Sequence, residues 1–178
     1  MRYLLLPGWM ESLQLYEDQK DLHVCIGKLD GECTSSDCVV GLSLGALSVL
    51  KNIKQIKGKI ILVNPPLPRR NIVRWFVQWF DYVTHEGLFL ERQTFTKNPI
   101  RFGKGLLQCI QLLTTDFSQI FDDPIQNKNI TVVRGKSDRY FCDERAVRFL
   151  HSKGIAIIEI ESGHNWNEEI EKRIISIT

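Results

Sequence analysis

The segment Cys38-Val39-Val40-Gly41-Leu42-Ser43-Leu44-Gly45-Ala46-Leu47 leads a short apolar run into a helical pattern through a serine flanked by glycines. That combination leaves few folds open. A short apolar run bounded by turn residues reads as a strand buried on both faces. The helical pattern Leu44 to Ile53 begins with small residues directly after it, so the connection between strand and helix must be sharp. Glycines two residues on either side of Ser43 remove side chains that would collide in such a turn.

The same alternation runs through much of the chain. Tyr3 to Leu6 reads as a buried strand ended by Pro7-Gly8, and Trp9 to Lys20 as a first helix. His23 to Ile26 is a weaker strand, and Lys59 to Val63 is a strand closed by Asn64-Pro65-Pro66. From Leu67 to about Asn127 the pattern becomes helical. Ile72, Phe76, Trp79, Phe80 and Val83 fall at helical spacing, as do Leu106, Ile110 and Leu113. Strand-like runs return at Ile130 to Val133 and Ala156 to Ile160, followed by helices over Asp143 to Lys153 and Trp166 to Ile175. Strands alternating with helices predict an α/β fold: a mostly parallel sheet with helices on both faces. We expect a single domain over 1–178, with a core at 1–64 and 129–178 and a helical lid insertion at 65–128.

A serine hydroxyl is a poor nucleophile without a base, so a chain that uses Ser43 must supply an acid and a histidine elsewhere. Thr131-Val132-Val133 runs into Arg134-Gly135-Lys136-Ser137-Asp138, which places Asp138 just past a strand end. Ile157-Ile158-Glu159-Ile160 runs into Glu161-Ser162-Gly163-His164, which places His164 in the next such loop. The order Ser, Asp, His predicts a catalytic triad with Ser43 as nucleophile, His164 as general base and Asp138 as the orienting acid. Other readings stay open. Asp138 is also placed to cap the helix near Asp143, and Asp116, Asp122 and Asp123 are rival acids in the helical insertion. The oxyanion hole is expected from the N–H groups of Leu44, after the serine, and Trp9, in the loop after the first strand.

The cysteines number five, an odd count without a C-x-x-C pair, which fits reduced thiols in a cytosol. No Cys/His cluster has ligand spacing, so neither a metal nor another cofactor is expected. The N-terminal apolar run is too short for a signal-peptide core, and no stretch approaches the ~20 apolar residues of a membrane span. A cytoplasmic monomer is the expectation. A net charge of +2 gives no whole-chain argument for nucleic acid or membrane binding.

At these residues the chain resembles the α/β-hydrolases. Within them it is similar to the pimeloyl-acyl-carrier-protein methyl esterases of biotin synthesis, the BioH, BioG and BioV types. Leu5-Leu6-Pro7-Gly8-Trp9 is similar to the Leu-Leu-His-Gly-Trp of the BioH type, and Gly41-Leu42-Ser43-Leu44-Gly45 to its Gly-Trp-Ser-Leu-Gly. The chain differs in having Pro7 and Leu42 at those places, and in its shortness, which points to the compact BioV-like group. The resemblance implies a serine carboxylesterase that cleaves the methyl ester of pimeloyl-acyl carrier protein. It carries the triad onto Ser43, Asp138 and His164 and the oxyanion donors onto Trp9 and Leu44.

The insertion adds its own expectation. Between Arg69 and Lys104 there are seven positive side chains against three negative, a net of +4. Arg69, Arg70 and Arg74 are therefore candidate contacts for an acidic acyl carrier protein. Trp75 and Trp79, with Phe76 and Phe80, are candidate walls for an acyl channel. A solvated basic face and ordinary core packing are the plain alternatives for these two groups. A general carboxylesterase or thioesterase, and an inactive hydrolase fold serving as a binding module, are the alternative functions.

Overall fold

The computed structural model describes residues 3–8, 22–24, 36–86 and 99–178. The expected first helix and Trp9 lie outside them. The described elements are β1 (Tyr3–Leu6), β2 (Leu22–Val24), β3 (Cys38–Leu42), α1 (Leu44–Lys51), β4 (Lys59–Val63), α2 (Ile72–Glu86), α3 (Pro99–Thr114), α4 (Pro124–Asn127), β5 (Ile130–Gly135), α5 (Glu144–Ser152), β6 (Ala156–Ile160) and α6 (Glu168–Ile177). Among them, no helix is long and apolar enough to cross a membrane.

The strands form one six-stranded sheet in the order β2-β1-β3-β4-β5-β6, and every neighbouring pair is parallel. Successive residues of a strand point to opposite faces, so the apolar runs of β1, β3, β4 and β5 each supply two cores at once. Leu4, Leu6, Val39, Ile60, Leu62 and Val132 pack on one face beneath Ala46, Leu47 and Leu50 of α1 and Leu150 of α5. Leu5, Cys38, Val40, Ile61, Val63 and Val133 pack on the other, against Ile170 and Ile174 of α6. This two-sided burial is why the runs show no alternation. Each fully buried Leu, Ile or Val contributes about 1.5–3 kcal/mol.

Capping sets the helix starts. Asp143 accepts from Ala146 N–H at 3.1 Å and opens α5; Asn167 accepts from Ile170 N–H at 3.0 Å and opens α6. The α6 pattern read from Trp166 therefore begins two residues later, at Glu168. Asp143, not Asp138, is the cap that the sequence left undecided.

The helical block between β4 and β5 packs differently from its spacing. In α2 the deeply buried residues are Trp75 and Tyr82, whereas Val73, Phe76, Val77 and Phe80 are exposed. Trp79 and Val83 are half-buried against the core. The apolar residues of α2 thus cover more of the helix than the core can take, and tertiary partners choose the inward side.

Candidate active site

In a parallel sheet, ligand sites form outside the carboxyl ends of the strands, where the chain order reverses direction. Here the chain leaves β1 toward β2 on one side and then returns to β3 on the other. Ser43 lies at that reversal, directly after β3.

Its backbone is held from several directions. Ser43 has φ 52° and ψ −118°, a conformation an L-residue adopts only when its surroundings enforce it. Its N–H donates to Val63 O at 2.8 Å, and its carbonyl accepts from Ala46 N–H at 3.0 Å. A Cβ at Gly41 would lie 2.6 Å from Ala46 Cα, and one at Gly45 would lie 2.1 Å from Leu6 O. The two glycines of the motif are thus where α1 meets β3 and where it meets the end of β1. Although Ser43 is the N-cap of α1, its hydroxyl makes no capping hydrogen bond. It points instead to His164.

His164 Nε2 lies 2.9 Å from Ser43 Oγ, and its Nδ1 lies 2.7 Å from Asp138 Oδ2. An N–H on Nδ1 donating to the carboxylate leaves Nε2 as acceptor for the serine proton. Both His164 and Asp138 are buried, and the imidazole is walled by Phe141, with ring centroids 4.5 Å apart, and by Tyr82 edge-on at 5.4 Å. Tyr82 also hydrogen-bonds through its hydroxyl to Asn165 Oδ1, so α2 is tied to the residue that follows the histidine.

Asp138 sits in a cradle of main chain. Oδ1 accepts from the N–H groups of Tyr140 and Phe141, and Oδ2 from that of Cys142, each at 3.1 Å. Burial works to raise its pKa. The facing His164, its hydrogen bond and the donated N–H groups outweigh that effect, holding the carboxyl below its ordinary value of 3.8. The carbonyls of the same peptides go to arginines. Arg70 donates to Tyr140 O and Phe141 O, and Arg134 Nε donates to Cys142 O at 2.8 Å. Residues 140–142 thus give their N–H groups to the acid and their C=O groups to buried cations.

The rival acids have other partners. Asp116 accepts from Ser118 N–H, Asp123 caps α4, and Asp122 pairs with Lys153. Leu44, the first residue of α1, follows the serine, and its N–H belongs to the first-turn amides that no intrahelical carbonyl can accept. Among the described residues, no cluster of three His, Cys, Asp or Glu side chains is placed to hold a metal ion.

Two of the expected carrier or channel contacts are engaged within the fold. Arg70 is only 6% exposed, because its guanidinium is engaged by the Asp143 carboxylate, Gln78 and the two carbonyls named above. Trp75 is 2% exposed and packs in the main core against Phe141 and Trp79. Arg69 and Arg74 are exposed, and Trp79 is half-buried.

The sequence matches no model of a known protein family and no curated protein. Solved structures are similar to it in shape. An enol-lactonase from Burkholderia xenovorans LB400 superposes with a TM-score of 0.61 at 13% identity, over 99% of this chain and 89% of that one. A hydrolase from Pseudomonas aeruginosa PA01 gives 0.61 at 13% identity, over 98% and 87%. A carboxylesterase of Nitrososphaera gargenis gives 0.60 at 10% identity, over 99% and 89%.

The chain has the α/β-hydrolase fold. Within that α/β-hydrolase frame, four residues shape the site without having been singled out by the sequence: Asn64, Tyr82, Arg134 and Phe141. Arg134 gave no signal, since an arginine in a strand is usually a surface residue. Tyr82 and Phe141 gave no signal either, since neither belongs to the apolar spacings read along the chain. Asn64 gave a partial one: an asparagine closing a strand tolerates the left-handed conformation better than most residues, and here it has φ 46°.

Proposed function

We propose that the protein is a serine carboxylic ester hydrolase. The observation that carries this reading is the continuous hydrogen-bonded chain from Ser43 Oγ through His164 to Asp138, whose carboxyl is held ionised. His164 removes the Ser43 proton as Oγ attacks the ester carbonyl. The developing oxyanion is met by the Leu44 N–H, with Trp9 as the second donor carried over from the resemblance. The protonated histidine then gives its proton to the leaving alcohol, and an acyl-serine remains. Water enters, His164 takes its proton as the oxygen attacks the acyl carbon, and the histidine returns that proton to the departing Ser43 Oγ, which releases the acid and restores the enzyme.

For the substrate, we propose the methyl ester of pimeloyl-acyl carrier protein in the cytoplasm, with methanol leaving first. Support comes from the resemblance at Leu5–Trp9 and Gly41–Gly45, and from the exposed Arg69 and Arg74 at the start of the 65–128 lid, which suit an acidic carrier. Demethylation of the methyl pimeloyl carrier protein tests it. We expect turnover by the native protein and a loss of about 10⁶-fold in kcat for Ser43→Ala. Normal turnover by that variant would refute the mechanism.

A second reading, a carboxylesterase of small soluble esters, is favoured by the internal engagement of Arg70, which leaves fewer free cations for a carrier. The double charge reversal Arg69→Glu with Arg74→Glu separates the two. The carrier reading expects a rise in KM of about tenfold on the carrier-bound ester alone. An unchanged KM on that ester, with brisk turnover of p-nitrophenyl esters, favours the small-ester reading. Failure of Ser43 to react with a fluorophosphonate would leave a binding module on a hydrolase fold.

A further inference from the structure

The loop that presents His164 does not hold its position by packing alone. A single buried side chain from another strand end spans the space beneath it. Asn64 follows β4, is fully buried, and adopts φ 46°. Its own N–H donates to Val133 O at 3.0 Å, which fixes its main chain against β5. Its side-chain Nδ2 donates twice, to Gly163 O at 3.1 Å and to His164 O at 2.9 Å. Its Oδ1 accepts the N–H of Gly135, the last residue of β5, at 2.8 Å.

The partners settle the orientation of the amide. Two carbonyls can only accept and a main-chain N–H can only donate, so the NH₂ group must face the histidine loop and the oxygen must face Gly135. Every hydrogen on Nδ2 is used. The crevice is also narrow: a Cβ at Gly135 would lie 2.2 Å from Gly163 O. Main chain from β5 and main chain from the histidine loop therefore run almost in contact, with the Asn64 amide joining them.

We propose that Asn64 is a positioning residue for the general base, holding the main chain of His164 so that Nε2 stays within proton-transfer reach of Ser43. The proposal rests on the serine-hydrolase reading above. Asn64 touches no reacting atom. It acts through the histidine, as the main-chain cradle acts through Asp138. No other side chain of similar size can replace it. Aspartate keeps the acceptor for Gly135 but turns carboxylate oxygens toward two carbonyls. Leucine has neither function. Glycine suits the backbone conformation and removes the bridge entirely.

The test uses Asn64→Asp and Asn64→Gly in the full chain. Each is measured by thermal unfolding, by the rate of Ser43 labelling with a fluorophosphonate, and by kcat and KM on p-nitrophenyl butyrate. We expect folded variants whose labelling rate and kcat both fall about 10²-fold, as a misplacement of about 1 Å would cause, with KM changed by less than about twofold. In a His164→Ala background the same substitutions should lower the residual rate by less than about twofold, because the group through which Asn64 acts is gone. A purely structural role predicts otherwise: the melting temperature falls while the labelling rate of the folded protein is kept. Native rates in either folded variant, an undiminished effect in the His164→Ala background, or failure of both variants to fold at all overturns the proposal. Absence of labelling in the unaltered protein would instead sink the serine-hydrolase reading itself, and is recognised before any variant is made.

Discussion

The loops at the strand ends and the helical block between β4 and β5 solve opposite problems. In the loops, Ser43 is held by Val63 O, Asp138 by the N–H groups of residues 140–142 and His164 by Asn64 and Asp138, and each polar atom of the acid is satisfied by a peptide N–H or by the histidine. In α2, one side is engaged by Trp75, Tyr82 and their partners, while Val73, Phe76, Val77 and Phe80 face outward. The first region tolerates almost no change of position. The second needs one side only. A short buried network leaves a misplaced group with no alternative partner, whereas an exposed helix side has water.

Breaking the loop network should have the largest effect. Asp138→Asn keeps size and shape but offers the histidine the wrong hydrogen-bonding group, and we expect kcat to fall about 10⁴-fold in steady-state ester hydrolysis. The same substitution has a consequence in acid. Because the folded carboxyl titrates below its ordinary value of 3.8, the unfolded chain takes up a proton first as pH falls. The stability contributed by this ionisation is therefore fully present above the unfolded-state value and lost as pH falls through the folded-state one. Urea midpoints measured below about pH 5 should decline less steeply in Asp138→Asn than in the native protein. Equal slopes would mean that the cradle does not hold the charge.

The inner side of α2, with Arg70 just before the helix, comes next. Trp75→Ala should cost about 3–5 kcal/mol by urea unfolding, since it empties a large core site. Arg70→Ala should cost a similar amount, about 3–5 kcal/mol, because it leaves the Asp143 carboxylate and the loop carbonyls without their donor. The outer side should be nearly silent: Phe80→Ala and Arg74→Ala are each expected within about 0.5 kcal/mol of the native protein. If the outer pair proved as costly as the inner pair, the contrast between the two sides of the helix would fail.

The same contrast explains what could be read in advance. Tyr3–Leu6 and Lys59–Val63 are strands at the expected residues, because apolar runs bounded by turn residues have few alternatives in a doubly covered sheet; the edge strand Ala156–Ile160 also lies where expected, although Ala156 and Glu159 are exposed. The convergence of Ser43, Asp138 and His164 was legible because each follows a strand, and parallel strands carry their following loops to one edge. The face of α2 was not legible. Apolar residues surround much of that helix, and the choice between Trp75 and Phe76 as the inward ring depends on Phe141, which lies far along the chain. The internal engagement of Arg70 is not legible for a related reason. Composition counts a charge but cannot see that Phe141 O and Asp143 are waiting for it. Trp9 lies outside the described residues.

The pairing order of the strands has a kinetic consequence. Ser43 and His164 are 121 residues apart in sequence, and the histidine arrives only with the segment that follows β6, at the far edge of the sheet. Distant closure of this kind is slow, since the chain loses configurational freedom before any contact rewards it. A polypeptide in which β6 and the segment after it are not yet in place holds an inert alcohol, so reactivity at Ser43 reports that the segment carrying His164 has docked.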